Sequence, residues 1–426
     1  MDSPRVLKDY TVVVRNRVIQ ALGPTSGVPV PPGAQLIDGT GRYLMPGLID
    51  AHVHLRHQSE LLSYLVYGVT SVVHLSGPTS GVPDPLGLRA QVARGEVLGP
   101  TIYASGRIVD GDPPIFPGVS IAVTSPADAA AAVEAQIASG VDFIKLYNNL
   151  TTPEMQSAIA AAHARGVVVF GHIPRHDGRV GALEHALTAG LDVVAHGEEY
   201  FFTFFYGDTD RRLSEGLLPA PDERQIPSAV QLTLSAGAAV TPNLSFVVMT
   251  RAQLDSLPRV LSDPEASFLS PTVLTTWKTQ NPTTRRDLAL FDRRERVKLP
   301  FVEHLTLALS QAGVPLLLGT DASAPGMFPG KSAHVELRAL VRAGLTPYQA
   351  LAAGTRVPGA FLQAHTQTQP LGTVTLGSRG DLILLHANPL DDVTVTDSIV
   401  GVLVAGRWLP IDSLKAMRRA AAALPR

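Results

Sequence analysis

The stretch Leu48-Ile49-Asp50-Ala51-His52-Val53-His54 decides the fold. Its first half is an apolar run of strand length. Its second half places two histidines two residues apart. In a strand, residues two apart face the same side, so both imidazoles can point from one strand end and grip a single ion. Met45-Pro46-Gly47 gives a tight entry into the strand. Two histidines at this spacing arise by chance in many chains, so the weight of the reading rests on what lies outward from them.

Outward, the centre of the chain repeats one unit: a short apolar strand, a polar residue, a loop, then an Ala-rich helix. After Leu48 to His52 the strands read as Ser71 to Leu75, Thr101 to Ser105, Phe143 to Leu146, Val167 to Gly171, Val193 to His196, Ala239 to Thr241 and Leu316 to Thr320. Helical patterns at Ser125 to Ala138, Pro153 to Ala164 and Gly181 to Ala189 lie between them. The alternation predicts an α/β chain closed as a (β/α)8 TIM barrel, which needs eight such units. A long insertion follows the seventh strand and runs through Pro300.

The two ends read differently. Tyr10 to Val14, Arg17 to Leu22 and Gln35 to Asp38 are short strands between Gly/Pro-rich turns, and Leu371 to Val374, Asp381 to Leu385 and Ile399 to Val404 form a matching set. Together they predict a small composite β-sandwich domain built from both termini, with a closing helix from Ile411 to Ala423. The expected division is 1–45 for the first part of that domain, 46–366 for the barrel and 367–426 for the second part with its helix.

Composition agrees with a well-packed globular protein. The 426 residues are 45% hydrophobic and 17% charged, with 35 basic and 37 acidic side chains and a net charge of -2. No run of one sign marks a nucleic-acid or anionic-membrane partner. The arginines at 285, 286, 293, 294 and 296 have no interleaved aromatics and read as a solvated face. The apolar stretches are too short or too interrupted to span a bilayer. With no cysteine, disulfides and thiolate ligation are excluded. MDSPRVLKDY has no signal-peptide pattern. The expected location is the cytoplasm, or outside it with a leader missing from this sequence.

Polar residues at the other strand ends complete the constellation. His172, His196 and Asp321 each follow an apolar strand, where barrel enzymes place catalytic groups. Several imidazoles with a carboxylate suit zinc or a similar first-row ion. Lys145 lies within Phe143-Ile144-Lys145-Leu146, in a chain with six lysines against twenty-nine arginines. A lysine at the end of a buried strand needs compensation for lost hydration. One compensation is carbamylation by CO₂, giving a carboxylate able to bridge two ions about 3.5 Å apart. The other is a salt bridge to an acid such as Asp142 or Glu198.

The order HxH, Lys, His, His, Asp over five strand ends resembles the amidohydrolase superfamily. The resemblance also rests on Gly319-Thr320-Asp321, Gly344-Leu345-Thr346-Pro347, Leu371-Gly372-Thr373 and Asn388-Pro389-Leu390. It runs through nearly the whole chain and is nearest the imidazolonepropionase-like and prolidase-like (Xaa-Pro dipeptidase-type) branch. Lys145 argues against imidazolonepropionase itself, which resembles this chain but uses one metal. The resemblance implies two divalent ions, with zinc expected. His52, His54 and Asp321 would hold one, His172 and His196 the other, with carbamylated Lys145 between them. It implies hydrolysis of amide or peptide bonds in dipeptides (Xaa-Pro or similar) or N-acyl amino acids by a metal-bridging hydroxide, with Asp321 as the catalytic proton shuttle. The alternative on the same metals is hydrolysis of lactones, cyclic amides or phosphotriesters.

Substrate-binding candidates are His74 at the end of the second strand, Tyr147 two residues past Lys145, Arg175 after His172, and His334 beyond Asp321. His74 reads equally as a packed histidine, Arg175 as a solvated arginine, and His334 with Glu336 as a helix start. Arg107, Asp110 and His176 are further loop candidates. The aromatic run Tyr200 to Tyr206 reads as an apolar wall of the pocket, or as core packing or subunit contact in a homo-oligomer. The Gly/Pro-rich stretch 110–118 reads as a loop over the site.

Overall fold

The computed structural model describes residues 3–178, 181–205 and 221–422. Its strands are β1 (Tyr10–Arg15), β2 (Val18–Pro24), β3 (Tyr43–Pro46), β4 (Leu48–Val53), β5 (Val69–His74), β6 (Thr101–Ala104), β7 (Ile108–Gly111) and β8 (Ser120–Val123). They continue as β9 (Ile144–Leu146), β10 (Val169–Gly171), β11 (Val193–Ala195), β12 (Ala239–Thr241), β13 (Leu382–Leu385), β14 (Ile399–Val404) and β15 (Arg407–Pro410). A six-stranded sheet runs β12-β11-β10-β9-β7-β8 with all its pairs parallel, and β4-β5-β6 form a second parallel sheet. Every residue of β4, β5 and β9 to β12 is buried. That is why these strands read as unbroken apolar runs rather than alternating ones.

The two parallel sheets form a barrel-like arc. The Asp142 N–H donates to the Ala104 carbonyl (2.8 Å), tying the lead-in of β9 to β6. The expected eighth strand, Leu316 to Thr320, is extended but makes no continuous ladder. It lies between β12 and β4 through single bonds: Leu317 N–H to Val240 O (2.9 Å), Ala51 N–H to Leu318 O (2.7 Å) and Thr320 N–H to His52 O (3.2 Å). One apolar cluster fills the interior, with Ile49, Val73, Tyr103, Phe143, Phe170, Val193, Ala239 and Leu317 among its members. Helices pack outside. Thr152–His163 starts with a capping box between Thr151 and Glu154, and Pro126–Ala138 starts on the Ser125 side chain.

The chain ends meet in an antiparallel sheet, β15-β14-β13-β3, so β3 from the N-terminal part pairs with β13 from the C-terminal part. The β1-β2 hairpin docks beside it: Ile19 N–H donates to Ser378 O (2.9 Å) and Gly380 N–H to Arg17 O (2.8 Å). Two expected strands do not form. Gln35 to Asp38 has no partner strand among the described residues, and Leu36 stands 73% exposed. Leu371 to Val374 is broken by Gly372, whose φ is 79° and where a Cβ would lie 2.3 Å from the Thr355 carbonyl oxygen. The stretch 110–118 also carries more order than a loop, because β7 and β8 flank it as an added parallel pair. The closing helix spans Ile411–Ala422, and Ala423 lies outside the described residues.

The insertion after β12 is helical: Leu244–Leu261, Pro271–Thr279 and Leu288–Gln311. The first helix kinks at Ser256, two residues before Pro258, as a proline inside a helix requires. A small apolar core of its own holds Val260, Ala266, Leu269, Val273 and Trp277 against Phe328. Among the described residues, no helix is long and apolar enough to cross a membrane.

Candidate metal centre

β4 delivers the first two ligands. Its ladder with β5 is irregular between Asp50 and Val53, an irregularity of the kind that re-aims side chains at a strand end. The ligand atoms of His52, His54 and Asp321 lie within 4.8 Å of one another, and among the described residues no other His, Asp or Glu group is as tight. His54 Nε2 stands 2.9 Å from Asp321 Oδ1 and His52 Nε2 3.5 Å from it. The rings of His52 and His196 lie 4.7 Å apart, as do those of His196 and His172. The four imidazoles therefore form one group, although their sequence positions span 145 residues.

Burial sets the chemistry of that group. His52 is fully buried, and among the described residues both its ring nitrogens lack a hydrogen-bond partner, as do both of His196 and Nδ1 of His54. Burial, then the nearby Lys145 and the other imidazoles, holds the His52 ring well below its ordinary pKa. Burial and Lys145 push His172 down to about 3. The rings of His54 and His196 are lowered by burial as well. Neutral imidazoles with free lone pairs are what a metal ion requires. Burial opposes the charged form of Asp321, but the hydrogen-bonded His54 ring and the other imidazoles outweigh it and hold that carboxyl well below the usual range. Orphaned buried nitrogens around an ionised carboxylate fit a first-row cation.

Lys145 sits among them with 0% exposure and, among the described residues, no partner for Nζ. The salt-bridge alternative is not what the structure contains. Asp142 pairs with Arg89 (2.6 Å) and Glu198 with Lys298 (2.5 Å). Burial draws the Lys145 amine down to about 7, with Asp321 and Glu199 opposing the shift.

Several residues that orient this group carry no role in the sequence reading. Asp50 is fully buried and accepts from Thr320 Oγ1 (2.6 Å), Thr320 N–H (3.1 Å) and His52 N–H (3.3 Å). It thereby ties the strand of His52 to the segment of Asp321. Glu199 accepts from His172 Nδ1 (3.0 Å), the Ile173 N–H (3.2 Å) and the Arg175 guanidinium. Burial opposes its charge, but Arg175 and His172 outweigh that and hold the carboxyl well below its usual range. A carboxylate acceptor at Nδ1 leaves the lone pair of His172 on Nε2. Asn243, with its amide turned so that the NH₂ faces Thr241 O (3.1 Å) and Oγ1 (2.9 Å), accepts from the Asp321 N–H at 3.2 Å. Asp321, His196 and Asn243 adopt φ of 63°, 83° and 51°. Such left-handed conformations cost non-glycine residues energy and cluster at functional sites. Gly319 is obligatory next to them, since a Cβ there would meet His52 Cβ at 2.8 Å.

The substrate candidates separate in space. His74 is buried, and its Nδ1 accepts from the Leu55 N–H (3.1 Å), so the neutral ring carries its proton on Nε2, which has no partner. Tyr147 stacks 4.2 Å from His172, and the half-exposed Phe116 ring lies 5.6 Å from Tyr147. Arg175 is committed to Glu199 and covers the Phe202 ring at 4.9 Å. His334 sits elsewhere: Nδ1 meets Thr396 Oγ1 (2.8 Å) and Nε2 the Tyr67 carbonyl (2.9 Å), so neither nitrogen is left for a substrate. Glu336 does not cap its own helix. It accepts from the Leu244 and Ser245 N–H groups (3.1 and 2.5 Å) and caps the helix Leu244–Leu261. Asp110 accepts from Gly111, Ile115 and Asn149 N–H groups, and Arg107 donates to Ser120 O, so both shape the 110–118 stretch. His176 meets Asp177 at 3.2 Å on the surface. Of the aromatic run, Tyr200 to Phe202 are buried, and Tyr206 lies outside the described residues.

Known proteins align with this framework. The profile of the Amidohydrolase family matches residues 43–409. Imidazolonepropionase from Arthrobacter sp. (strain FB24) is 24% identical over 405 residues, covering 90% of this chain and 89% of that one. Adenine deaminase from Paracoccus denitrificans (strain Pd 1222) is 35% identical over 80 residues, which span 19% of this chain and only 13% of that protein's length. Among solved structures, bottromycin amidohydrolase superposes with a TM-score of 0.72 at 27% identity, covering 97% of this chain and 86% of that one. A "putative prolidase" from Bifidobacterium longum gives 0.67 at 26% identity, covering 97% and 94%. The profile match runs from β3 into β15 and takes in every strand that carries a ligand: the chain belongs to the amidohydrolase family, as a metal-binding enzyme of that fold.

Proposed function

We propose that this enzyme hydrolyses the amide bond of dipeptides, Xaa-Pro among them, or of N-acyl amino acids, at a centre of two divalent ions. The observation that carries the reading is Lys145, a fully buried amine with no partner among the described residues, beside four neutral imidazoles. Burial keeps part of the Lys145 population uncharged near neutrality. A neutral Nζ can add to the carbon of CO₂ and lose a proton, leaving a carbamate anion where an ammonium ion would be unpaired. His52, His54 and Asp321 would hold one ion, His172 and His196 the second, and the carbamate of Lys145 would serve both. Zinc suits this set of nitrogen and oxygen donors. When bound, the ions supply a water acidified to near neutrality and a Lewis acid for the scissile carbonyl.

The chain's own residues do the rest. Asp321, held ionised, accepts a proton from the attacking water and returns it to the departing nitrogen, which must be protonated to leave. His74 offers a fixed Nε2–H to the oxygen on which negative charge develops. Glu199, pinned by Arg175, keeps the His172 ring in one tautomer. Tyr147 and Phe116 give the mouth an aromatic side. Arg175 serves as an orienting residue rather than as the carboxylate clamp. The likeness to the Bifidobacterium longum structure supports a peptide-type substrate.

In this reading the segment at 316–320 completes an eight-stranded barrel over residues 46–366. The parts 1–45 and 367–426 then make one β domain, and the enzyme self-associates. Its substrates are small molecules or dipeptides.

The experiment is turnover of an Xaa-Pro and N-acyl-amino-acid panel by zinc-loaded enzyme, with ion content measured on the same sample. Turnover with about two ions per chain is expected. A fully loaded enzyme that leaves the whole panel intact but opens lactones, cyclic amides or phosphotriesters refutes the amide reading.

A further inference from the structure

Asp321 stands in a left-handed backbone conformation, and its loop is held by hydrogen bonds from two sides. Its φ of 63° belongs to the left-handed region, which a residue with a Cβ adopts less readily than glycine. From the barrel side the loop is tied to β4. His54 N–H donates to Ala322 O, Ser323 N–H to His54 O (3.2 Å), and Asp50 holds Thr320. These bonds restrain 320–323 from one face only.

The other face is held by the helical insertion. The Trp277 indole N–H, on the helix Pro271–Thr279, donates to the Ser323 carbonyl at 3.2 Å. Gln253 Nε2, on the helix Leu244–Leu261, donates to the Pro325 carbonyl at 2.9 Å. Both side chains are 1% exposed. Gly326 has φ of 83°, and a Cβ there would lie 2.5 Å from Gln253 Nε2, so the amide lies flat on the backbone at that point. The Trp277 and Phe328 rings meet edge to face at 5.0 Å, inside the small core that is separate from the barrel interior. Lys331, just past the loop, is paired with Asp263 of the insertion.

We infer that the insertion is a clamp on the Asp321 loop, with Trp277 and Gln253 as its two positioning residues. Neither touches the metal group. Each donates to a loop carbonyl whose displacement would swing Asp321 away from His54. The insertion therefore contributes to ion affinity through the pose of one ligand, and its separate core lets it loosen without unfolding the barrel. This inference rests on the metal reading of the His52, His54 and Asp321 group.

Two variants remove a donor: Gln253→Met, which keeps the side chain's bulk, and Trp277→Phe, which keeps an aromatic ring but gives up part of the indole's volume. The readouts are zinc affinity, by competition with a chromogenic chelator, and hydrogen exchange across 321–328 in the metal-free protein. Each variant is expected to weaken zinc binding ~10-fold, the scale of losing an outer orienting bond. The Ala324 and Met327 amides should exchange ~10-fold faster, while those of the helix Lys331–Arg342 keep wild-type rates. General loss of stability would accelerate both segments and overturn the inference, as would wild-type exchange and affinity in both variants. If the wild-type protein takes up no zinc, the metal reading fails, and the exchange arm still decides the clamp. Should W277F not fold, Q253M carries the same test.

Discussion

Replacing Lys145 by methionine should stabilise the metal-free protein and cripple the loaded one. The side chains are similar in length, and the site is fully buried, so the substitution removes a charge without opening a large cavity. Burial lowers the amine from 10.5 to about 7. A lysine depressed on folding binds fewer protons in the native state, so the wild type gains stability as pH rises from about 7 to about 10.5. Integrated, the lysine costs about 3 kcal/mol near pH 8 and approaches about 5 kcal/mol below pH 7. The assay is urea unfolding of both proteins in metal-free, CO₂-free buffer at several pH values. K145M should be the more stable by about 3 kcal/mol near pH 8, with the gap closing toward pH 10.5. Equal stability at every pH, or a less stable K145M, would refute the claim that Lys145 stands there uncompensated.

Three further outcomes follow from the same contacts. Asp50→Asn puts an NH₂ group among three donors that now point at carboxyl oxygens, and zinc affinity measured by chelator competition should fall ~10–100-fold; unchanged affinity would remove Asp50 from the positioning set. Glu199→Gln leaves the partly buried Arg175 without its counter-charge, so unfolding should show a loss of stability of ~1–3 kcal/mol together with reduced ion content. A variant as stable as the wild type would contradict that pairing. Glu336 has its carboxyl pushed up from 4.5 to about 7 by burial, so folding takes up a proton between those values. Wild-type stability should therefore fall relative to Glu336→Gln across that window, by up to ~3 kcal/mol, and stay level above it. A pH-independent difference between the two would count against the shift.

The fold was legible where a strand is buried on both faces. β4, β5 and β9 to β12 read as apolar runs because parallel strands carry no solvent face. Strand patterns misled at the ends, where isolated alternation resembles pairing. Leu371 to Val374 has the right residues, yet Gly372 presses on the Thr355 carbonyl and turns out of line. Ligand candidates were legible as polar residues that end apolar strands. Their supports were not, because a support is defined by a partner far along the chain. Asp50 answers to Thr320, 270 residues away, and Trp277 to Ser323 across the insertion. Glu199 follows Glu198 directly in sequence, but nothing in the sequence says that it faces Arg175 while its neighbour faces Lys298. His334 had the residue type of a site histidine, and only its two satisfied nitrogens show otherwise.

The central claim is a paired centre organised around Lys145. Its most direct test is ion content by mass spectrometry, after zinc loading with bicarbonate and exhaustive dialysis, on the wild type and on K145M. The account predicts about two zinc ions per chain in the wild type and at most about one in K145M. A wild type that retains a single ion, or a K145M that retains as many as the wild type, would contradict it.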